Sequence, residues 1–350
     1  MTKRVLCTGG AGYVGSACLR YLLKMGYDAY AFDNLSEGNR EAVPDSDHRL
    51  IVGDILDTQH LFDTLHNYKI DAVMHFAAVA SVPDSIAMPS QYWQVNVIGT
   101  KNLLDAMIEC GINNIVFSST AATYAFSDKM PLEESDLQAP ETPYGTTKLA
   151  CETMLKDYQI AYGLGFSAMR YFNASGADLD GQYGEDRRVE SHLIPLAFHT
   201  AVGRREKLLV YGDDWPTVDG SCVRDYVHVE DIARAHIAAM EQQKPHIGNF
   251  YNIGSNTGVS VLEIIRQCEK SCANSINWQF APRRLGDPAT LVASSSKLRE
   301  ELNWQPRHDL ETIIQTAYNW HHRYPKGYAD KNKQMTSAAN PSVDMVDKSA

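Results

Sequence analysis

Short apolar runs alternate with longer amphipathic stretches through the first half of the chain. The runs are Val5–Thr8, Ala29–Phe32, Leu50–Val52, Ala72–Phe76 and Ile115–Phe117. Apolar runs of this length without polar alternation are typical of strands in a parallel sheet that is buried on both faces. Helices are predicted between them, including a long one over roughly residues 89–110. This alternation predicts an α/β fold with a doubly wound parallel sheet.

A glycine-rich turn follows the first of these strands and leads into a helix. Gly9, Gly12 and Gly15 are spaced so that the backbone can turn tightly, approach a pyrophosphate and pack closely against the sheet. The helix N-terminus offers free N–H groups and a positive dipole end to phosphates. Asp33 ends the second strand and can accept hydrogen bonds from an adenosine ribose, which favours NAD over NADP. The pattern predicts a Rossmann-type cofactor domain.

Ligands of doubly wound sheets bind at the carboxyl ends of the strands. Asp54, Ala77 and the pair Ser119-Thr120 fall at such ends in this sequence. Asn96 is a polar residue on an otherwise apolar helix face, and the sequence leaves open whether it serves the structure or the cofactor. His75 lies inside an apolar run, so we interpret it as a core histidine with satisfied hydrogen bonds.

Tyr144 and Lys148 are four residues apart, which in a helix places both side chains on one face. Thr142 can cap this helix and Pro143 suits its first turn. An ammonium near a phenol favours the phenolate, so we expect a lowered Tyr144 pKa and a general base usable near neutral pH. Taken alone, the same spacing also fits two unrelated surface side chains.

Composition narrows the possible function classes. The chain has 350 residues and a net charge of -11, which argues against a general nucleic-acid surface but leaves room for a local basic pocket. Its seven cysteines are scattered and none forms Cys-x-x-Cys, so we expect reduced thiols, no metal site and a cytoplasmic protein. The N-terminus is too short for a signal peptide, and no membrane span is expected.

Three segments of the second half carry a family resemblance. They are Arg170–Asn173, Pro216–Gly220 with the following Val223–Val229, and Ala281–Asp287. Together with Thr120, Tyr144 and Lys148, they resemble the extended short-chain dehydrogenase/reductase family over nearly the whole chain. The resemblance implies NAD as the cofactor and the three named residues as the catalytic group.

The resemblance, combined with the strand-end positions, predicts a set of NAD contacts. They are Gly9, Gly12, Tyr13, Val14, Gly15, Asp33, Asn34, Asp54, Ile55, Phe76, Ala77, Ala78, Asn96, Ser118, Tyr144, Lys148 and Tyr171. Some family members carry a lysine near the nicotinamide ribose, and here Ala80 stands at that position. One cofactor contact is therefore expected to be absent or supplied elsewhere.

The activity implied by the resemblance is C4 epimerisation of UDP-hexoses through a transient 4-keto sugar. The implied substrate residues are Thr120, Asn173, His192, Leu193, Tyr211, Arg224, Arg284, Asp287 and Leu291. Two permanently charged arginines suit a pyrophosphate, and Tyr211 can stack on uracil. His192 stands where some relatives have Asn. Leu291 stands where some have Tyr, so N-acetylated UDP-hexoses are also expected to fit.

Two other functions compete with this hypothesis. A nucleotide-sugar 4,6-dehydratase begins with the same oxidation but needs an acid and a base after the catalytic Thr, where this chain has Ala121-Ala122. A non-catalytic NAD-binding protein would have no need to keep Thr120, Tyr144 and Lys148 in register.

We expect residues 1–165 to form the NAD-binding domain, with later segments returning to it. Residues 166–328 are expected to form a smaller mixed α/β lobe for the UDP-sugar, and residues 329–350 a flexible tail. The resemblance also implies a homodimer through the helices near 90–110 and 143–162, with no nucleic-acid or membrane partner.

Overall fold

The computed structural model describes residues 2–284 and 286–339, and only the backbone of residues 335–339. Its strands are β1 (Arg4–Thr8), β2 (Asp28–Asp33), β3 (Leu50–Val52), β4 (Ala72–His75), β5 (Asn114–Thr120), β6 (Gly165–Tyr171), β7 (Asn173–Ser175), β8 (Leu208–Tyr211), β9 (Val223–His228), β10 (Gly248–Ile253), β11 (Gly258–Ser260), β12 (Trp278–Ala281) and β13 (Thr290–Leu291).

The helices connect these strands and cover the sheets. They are α1 (Tyr13–Lys24), α2 (Ser46–Arg49), α3 (Thr58–Asn67), α4 (Val82–Ala87), α5 (Pro89–Tyr92), α6 (Gly99–Glu109), α7 (Pro143–Tyr162), α8 (Leu193–Ala201), α9 (Val229–Gln242), α10 (Val261–Cys272), α11 (Ser296–Leu302), α12 (Leu310–Arg323) and α13 (Tyr328–Ala339). Within the described residues, every helix is too short or too polar to cross a membrane.

A seven-stranded parallel sheet forms the centre of the fold, in the order β10-β6-β5-β4-β1-β2-β3. The chain builds outward from β1 to β3, then returns to the other side of β1 with β4. The strand order therefore reverses between β1 and β4, and such a switch point opens a crevice at the carboxyl ends of the strands. The predicted doubly wound sheet is confirmed.

Each face of this sheet is covered by its own apolar cluster. Helices α1 and α9 cover one face through residues such as Leu22 and Ile232. Helices α3, α6 and α7 cover the other through residues such as Leu61, Leu103 and Leu155. Because both faces are buried, the strands need apolar residues at successive positions, which explains the continuous apolar runs in the sequence.

A smaller set of strands and helices lies beyond the carboxyl edge of the central sheet. Strand β9 pairs with β7, β11 and β13, while β8 pairs with β12. Helices α8, α10 and α12 pack on these strands around Phe198, Ile264 and Ile313. The pairing of β13 with β9 sets Leu291 beside Arg224.

Two segments differ in detail from the sequence expectations. The long helix predicted near residues 89–110 consists of α5, a π-helical stretch over Trp93–Ile98, and α6. The segment expected to be a flexible tail from residue 329 continues α13 as far as Ala339. Tyr328, the first residue of α13, donates its N–H to the Asp186 carboxylate at 2.9 Å. The periodicity of the sequence does not show such a long-range contact. Residues 340–350 lie outside the described residues.

A buried ion pair fixes α7 against the central sheet. Arg170 on β6 donates to both carboxylate oxygens of Glu152 on α7, at 2.9 and 2.7 Å, and the two side chains are only 2% and 1% exposed. Ser119 and Gln138 donate to the same carboxylate at 2.6 and 2.9 Å. The charges are thus both paired and hydrogen-bonded, as burial requires.

We expect Arg170→Met to lower the free energy of unfolding by about 3–5 kcal/mol, because it leaves the Glu152 carboxylate buried without its cation. Urea denaturation followed by circular dichroism measures this loss. Arg299→Met, at an exposed position of α11, is the matched control and should change the same quantity by less than about 0.5 kcal/mol. Equal stability of the two variants would contradict the role given to the pair.

Candidate active site

A cleft of about 850 Å³ opens between the carboxyl edge of the central sheet and the smaller set of strands. Most of the predicted site residues line it. They are Gly9, Gly12, Tyr13, Val14, Gly15, Phe76, Ala78, Ser118, Thr120, Tyr144, Lys148, Tyr171, Asn173, His192, Leu193, Tyr211, Arg224, Arg284, Asp287 and Leu291. Residues that are far apart in the sequence, from 9 to 291, therefore meet at one site.

The remaining predicted cofactor residues are not part of the cleft wall. They are Asp33, Asn34, Asp54, Ile55, Ala77 and Asn96. Asp33 accepts from the N–H groups of Ala11 and Leu35 at 3.0 and 2.8 Å. Burial raises the Asp33 pKa, and these two bonds act in the opposite direction. Asn34 donates to Asp54 at 2.9 Å, next to the same strand end.

Two polar side chains that could have served the site, those of Asn96 and His75, form hydrogen bonds within the protein interior instead. The Asn96 amide accepts from the Val79 N–H at 2.9 Å and donates to the Val79 carbonyl and to Thr147, both at 3.1 Å. This geometry supports the structural alternative for Asn96. His75 contacts the hydroxyls of Thr8 and Thr100 at 2.6 and 2.9 Å. Burial lowers the His75 pKa to about 3, so it is a neutral core residue.

The glycine turn has the geometry that a dinucleotide pyrophosphate needs. Gly9 has a positive φ of 68° and its carbonyl accepts from the Gly12 N–H at 3.1 Å. A Cβ on Gly15 would lie 2.2 Å from the Gly9 carbonyl oxygen, so a side chain there would push the turn away from the helix. Gly12 precedes α1 without a side-chain cap, which leaves the N–H groups of the first turn free for an anion. These residues fit NAD.

Tyr144 lies at the start of α7, which begins as predicted. Thr142 accepts from the Gly145 N–H at 3.3 Å, and Pro143 occupies the first turn. The Tyr144 ring meets the Tyr92 ring edge-on at 6.4 Å. The cap therefore fixes where the helix begins, and with it the position of the phenol in the cleft.

The predicted lowering of the Tyr144 pKa is wrong for this arrangement. Burial raises the pKa of Tyr144, although a hydrogen bond with Thr120 and the charge of Arg187 act to lower it. Lys148 directs its ammonium to the Ser118 carbonyl at 2.8 Å rather than to the phenol. Burial also lowers the pKa of Lys148 to about 8, because a buried ammonium loses its hydration. Helical spacing gives a shared face but does not decide where the ammonium points.

Arg224 and Arg284 form a cationic wall in the cleft that Tyr144 also lines. The Asp287 carboxylate bridges Arg224 and Arg284, at 3.6 and 3.0 Å. The Arg284 guanidinium lies 4.4 Å from the centre of the Tyr211 ring. Two guanidiniums sharing one carboxylate leave an excess positive charge, which suits a diphosphate.

Helix α8 directs its N-terminus into the same cleft. His192 precedes it without a side-chain cap, and its imidazole contacts the Glu185 carboxylate at 2.7 Å. Leu193 is the first helical residue. Asn173 donates its amide to the Asp225 carbonyl at 2.8 Å. Free N–H groups at α8 add a second anion-binding feature to the cationic wall.

Sequence reasoning missed several residues on the cleft wall. Glu185 and Arg187 reach it from the loop between β7 and α8, while Ile86 and Phe126 are exposed apolar residues that also line it. The charged run around Glu185 was the only available signal, since loops between elements often carry binding residues. No periodicity in the sequence indicates which loops meet at the cleft.

Comparison with known proteins agrees with this geometry. Residues 5–254 match the family described as NAD dependent epimerase/dehydratase. A UDP-glucose 4-epimerase of Halalkalibacterium halodurans is 46% identical over 94% of this chain and 98% of its own.

Solved structures show the same similarity. The UDP-glucose 4-epimerase of Brucella ovis in complex with NAD is 43% identical, with a TM-score of 0.86 over 91% of this chain and 98% of its own. The Bifidobacterium longum enzyme in complex with NAD+ and UDP is 34% identical, with a TM-score of 0.89 over 93% of this chain and 100% of its own. With the glycine turn, the buried tyrosine and the cationic wall in one cleft, the chain belongs to the NAD dependent epimerase/dehydratase family.

Proposed function

We propose that this protein is an NAD-dependent epimerase that inverts C4 of UDP-hexoses. The observation that carries the proposal is that Tyr144 and Thr120 line the same cleft as the glycine turn and as Arg224 and Arg284. A cofactor site, an acid/base and a diphosphate site are the three parts that such a reaction requires. The relatives named as UDP-glucose 4-epimerases support the same activity.

Gly9, Gly12 and Gly15, with the first turn of α1, would hold the NAD pyrophosphate, and Asp33 would receive the adenosine ribose. When bound, NAD supplies hydride acceptance and return at the sugar C4. Asp33 uses two of its acceptor positions on backbone N–H groups and keeps others for ribose hydroxyls. The remaining NAD contacts predicted from the sequence belong to this proposal as well, except Asn96, whose amide is bonded to Val79 and Thr147.

Tyr144 is the proposed acid/base. As phenolate, its oxygen takes the proton from the sugar 4-hydroxyl and later returns it as the phenol, while Thr120 shares a hydrogen bond with that oxygen. Lys148 follows Tyr144 by one turn of α7 and donates its ammonium to the Ser118 carbonyl at 2.8 Å. Ala121 and Ala122 line the cleft directly after Thr120. Their methyl side chains cannot transfer a proton, so the site favours epimerisation over 4,6-dehydration.

The cationic wall of Arg224 and Arg284 would bind the nucleotide end of the UDP-sugar. Arg224 and Arg284 would bind the diphosphate, with Tyr211 and Asp287 toward the uridine. Apolar residues such as Leu291 and Ala122 line the cleft elsewhere. Tight binding of the nucleotide and loose binding of the hexose let either sugar face reach the cofactor, which epimerisation needs.

The proposed function also includes a domain assignment and a cellular location. We assign residues 1–165 to NAD binding, with β6, α9 and β10 returning to that domain, and residues 166–328 to the UDP-sugar. All seven cysteines are free thiols, which supports a cytoplasmic location.

Incubation of the purified protein with UDP-galactose and no added cofactor should yield UDP-glucose. Tyr144→Phe should keep the fold and bound NAD but lower kcat by about 100-fold or more, because proton transfer loses its acid/base. The control Tyr68→Phe removes the phenol hydroxyl of a residue beside Arg4, at the amino edge of the central sheet and away from the cleft, and should leave kcat unchanged. Bound NAD without any turnover in the wild-type protein would favour a non-catalytic NAD-binding function.

Leu291→Tyr should narrow the sugar specificity, because the added phenol fills cleft space beside Arg224. We expect UDP-GalNAc turnover to fall by at least about 10-fold relative to UDP-galactose turnover. Parallel measurement of kcat/KM for the two substrates checks this, and each substrate serves as the control for the other. An unchanged ratio would show that residue 291 does not limit sugar size.

A homodimer is proposed through the long helices. Trp93, Ile98, Ile160 and Tyr162 are large exposed apolar residues on them. Sedimentation should give twice the chain mass of 39.0 kDa. Ile160→Glu should shift the protein toward monomer, because the charge would be buried at the interface. Val218→Glu, at an exposed position elsewhere, is the matched control. A monomeric wild-type protein would exclude this assembly.

A further inference from the structure

Helix α13 begins in a small apolar core that joins distant parts of the chain. Tyr328, its first residue, is only 3% exposed, and the centre of its ring lies 4.9 Å from that of Trp320 on α12. Ala42, on the segment that follows β2, belongs to the same buried cluster. Burial of these side chains stabilises the position of α13 between α12 and the segment after β2.

Helix α13 also holds the segment that precedes α8. Tyr328 donates its N–H to the Asp186 carboxylate at 2.9 Å and its hydroxyl to the Gly184 carbonyl at 3.2 Å. Lys331 is only 6% exposed, and its ammonium lies 3.4 Å from the centre of the Tyr183 ring. Burial lowers the Lys331 pKa to about 8, so the side chain still carries its charge at pH 7. A cation that is desolvated over an aromatic ring makes one of the stronger contacts of this kind.

The next residue of α13 holds the segment after β2. Asn332 donates its amide to the Glu41 carboxylate at 2.6 Å. The same segment contacts the glycine turn, because the Asn39 N–H donates to the Ala11 carbonyl at 2.9 Å. The Asn39 amide donates to the Asp186 carbonyl, also at 2.9 Å. The segments after β2 and before α8 are therefore bonded to each other directly and again through α13.

Both segments border the residues that are expected to hold NAD. The Ala11 N–H donates to Asp33, the proposed partner of the adenosine ribose, at 3.0 Å. A Cβ on Gly38 would lie 2.9 Å from the Ala11 Cβ and 3.0 Å from an Asp33 carboxylate oxygen, so the segment after β2 lies directly against both residues. Glu37 and Asp186 line the cleft itself. Separation of the two segments would thus open the cofactor side of the cleft.

We propose that α13 is a clamp that retains the cofactor, with Lys331 and Asn332 as the positioning residues that keep the two segments together at the NAD site. The inference rests on the proposed function. C4 epimerisation takes one hydride from the sugar and gives it back, so the cofactor ends each cycle in the state in which it began. A site that stays closed around the cofactor therefore does not slow this reaction, whereas it would slow an enzyme that releases its cofactor in every cycle.

The test measures the release of radiolabelled NAD from the full-length protein into excess unlabelled NAD at pH 7, which needs no turnover. Asn332→Asp places a second carboxylate against Glu41 and should raise the release rate about 3- to 10-fold, because like charges at hydrogen-bond distance repel. Adding Glu41→Gln to Asn332→Asp restores an amide–carboxylate bond with donor and acceptor exchanged. This pair should return most of the way to the wild-type release rate.

Lys331→Ala should raise the release rate by a similar factor, because it removes the cation from the Tyr183 ring. Lys297→Ala is the matched control. The Lys297 ammonium lies 4.9 Å from the centre of the Tyr251 ring, and neither residue lines the cleft. This control should leave the release rate unchanged, and all the point variants should keep the wild-type kcat at saturating NAD.

Deletion of residues 328–350 should give the largest increase in release rate, at least about 30-fold, because it removes the whole clamp. Deletion of residues 340–350 alone should give none. If the longer deletion does not fold, the point variants decide.

Release as slow as in the wild-type protein in both Asn332→Asp and Lys331→Ala overturns the inference, and so does an equal increase in Lys297→Ala. A lower kcat at saturating NAD without faster release would show that α13 only stabilises the fold, which also overturns it. Absence of turnover in a wild-type protein that holds NAD would instead defeat the proposed function, and the release rates would still decide the role of α13.

Discussion

The proposed reaction depends on a phenol, that of Tyr144, which is buried away from water yet has to lose a proton. Burial of Tyr144 disfavours the phenolate, because a charge in a low-dielectric site loses its hydration. A hydrogen bond with Thr120 and the charge of Arg187 act against that penalty. The rest of the cleft can be understood as the means of placing this phenol beside a cofactor and opposite a substrate.

The scaffold places the phenol through α7 and the central sheet. Thr142 sets the first residue of the helix, and the buried pair of Arg170 and Glu152 fixes the helix against β5 and β6. The same sheet carries the glycine turn at the end of β1 and Thr120 at the end of β5. Since all seven strands are parallel, these ends share one edge, and the reversal of strand order opens that edge to a ligand.

The smaller lobe contributes charge at one position and apolar surface at another. In the proposed function, Arg224, Arg284 and the N-terminus of α8 bind the diphosphate, while Leu291 of this lobe, like Ala121 and Ala122 after β5, offers the hexose no charged partner. Binding energy is thereby directed to the part of the substrate that does not react. This division leaves the sugar free to present either face, and it agrees with an acid/base that serves both halves of the reaction.

The sequence by itself determined the parallel sheet, the glycine turn and the start of α7, because each depends on local periodicity, turn chemistry or a motif of fixed spacing. Most of the site residues that it predicted also line the cleft. Only the tertiary structure decided the contacts between distant segments. It directed the Lys148 ammonium to the Ser118 carbonyl, bonded the Asn96 amide to Val79 and Thr147, formed a helix over Tyr328–Ala339, and placed Arg187 on the wall of the cleft that Tyr144 also lines. Those outcomes depend on burial and on partners many residues away, which local pattern does not encode.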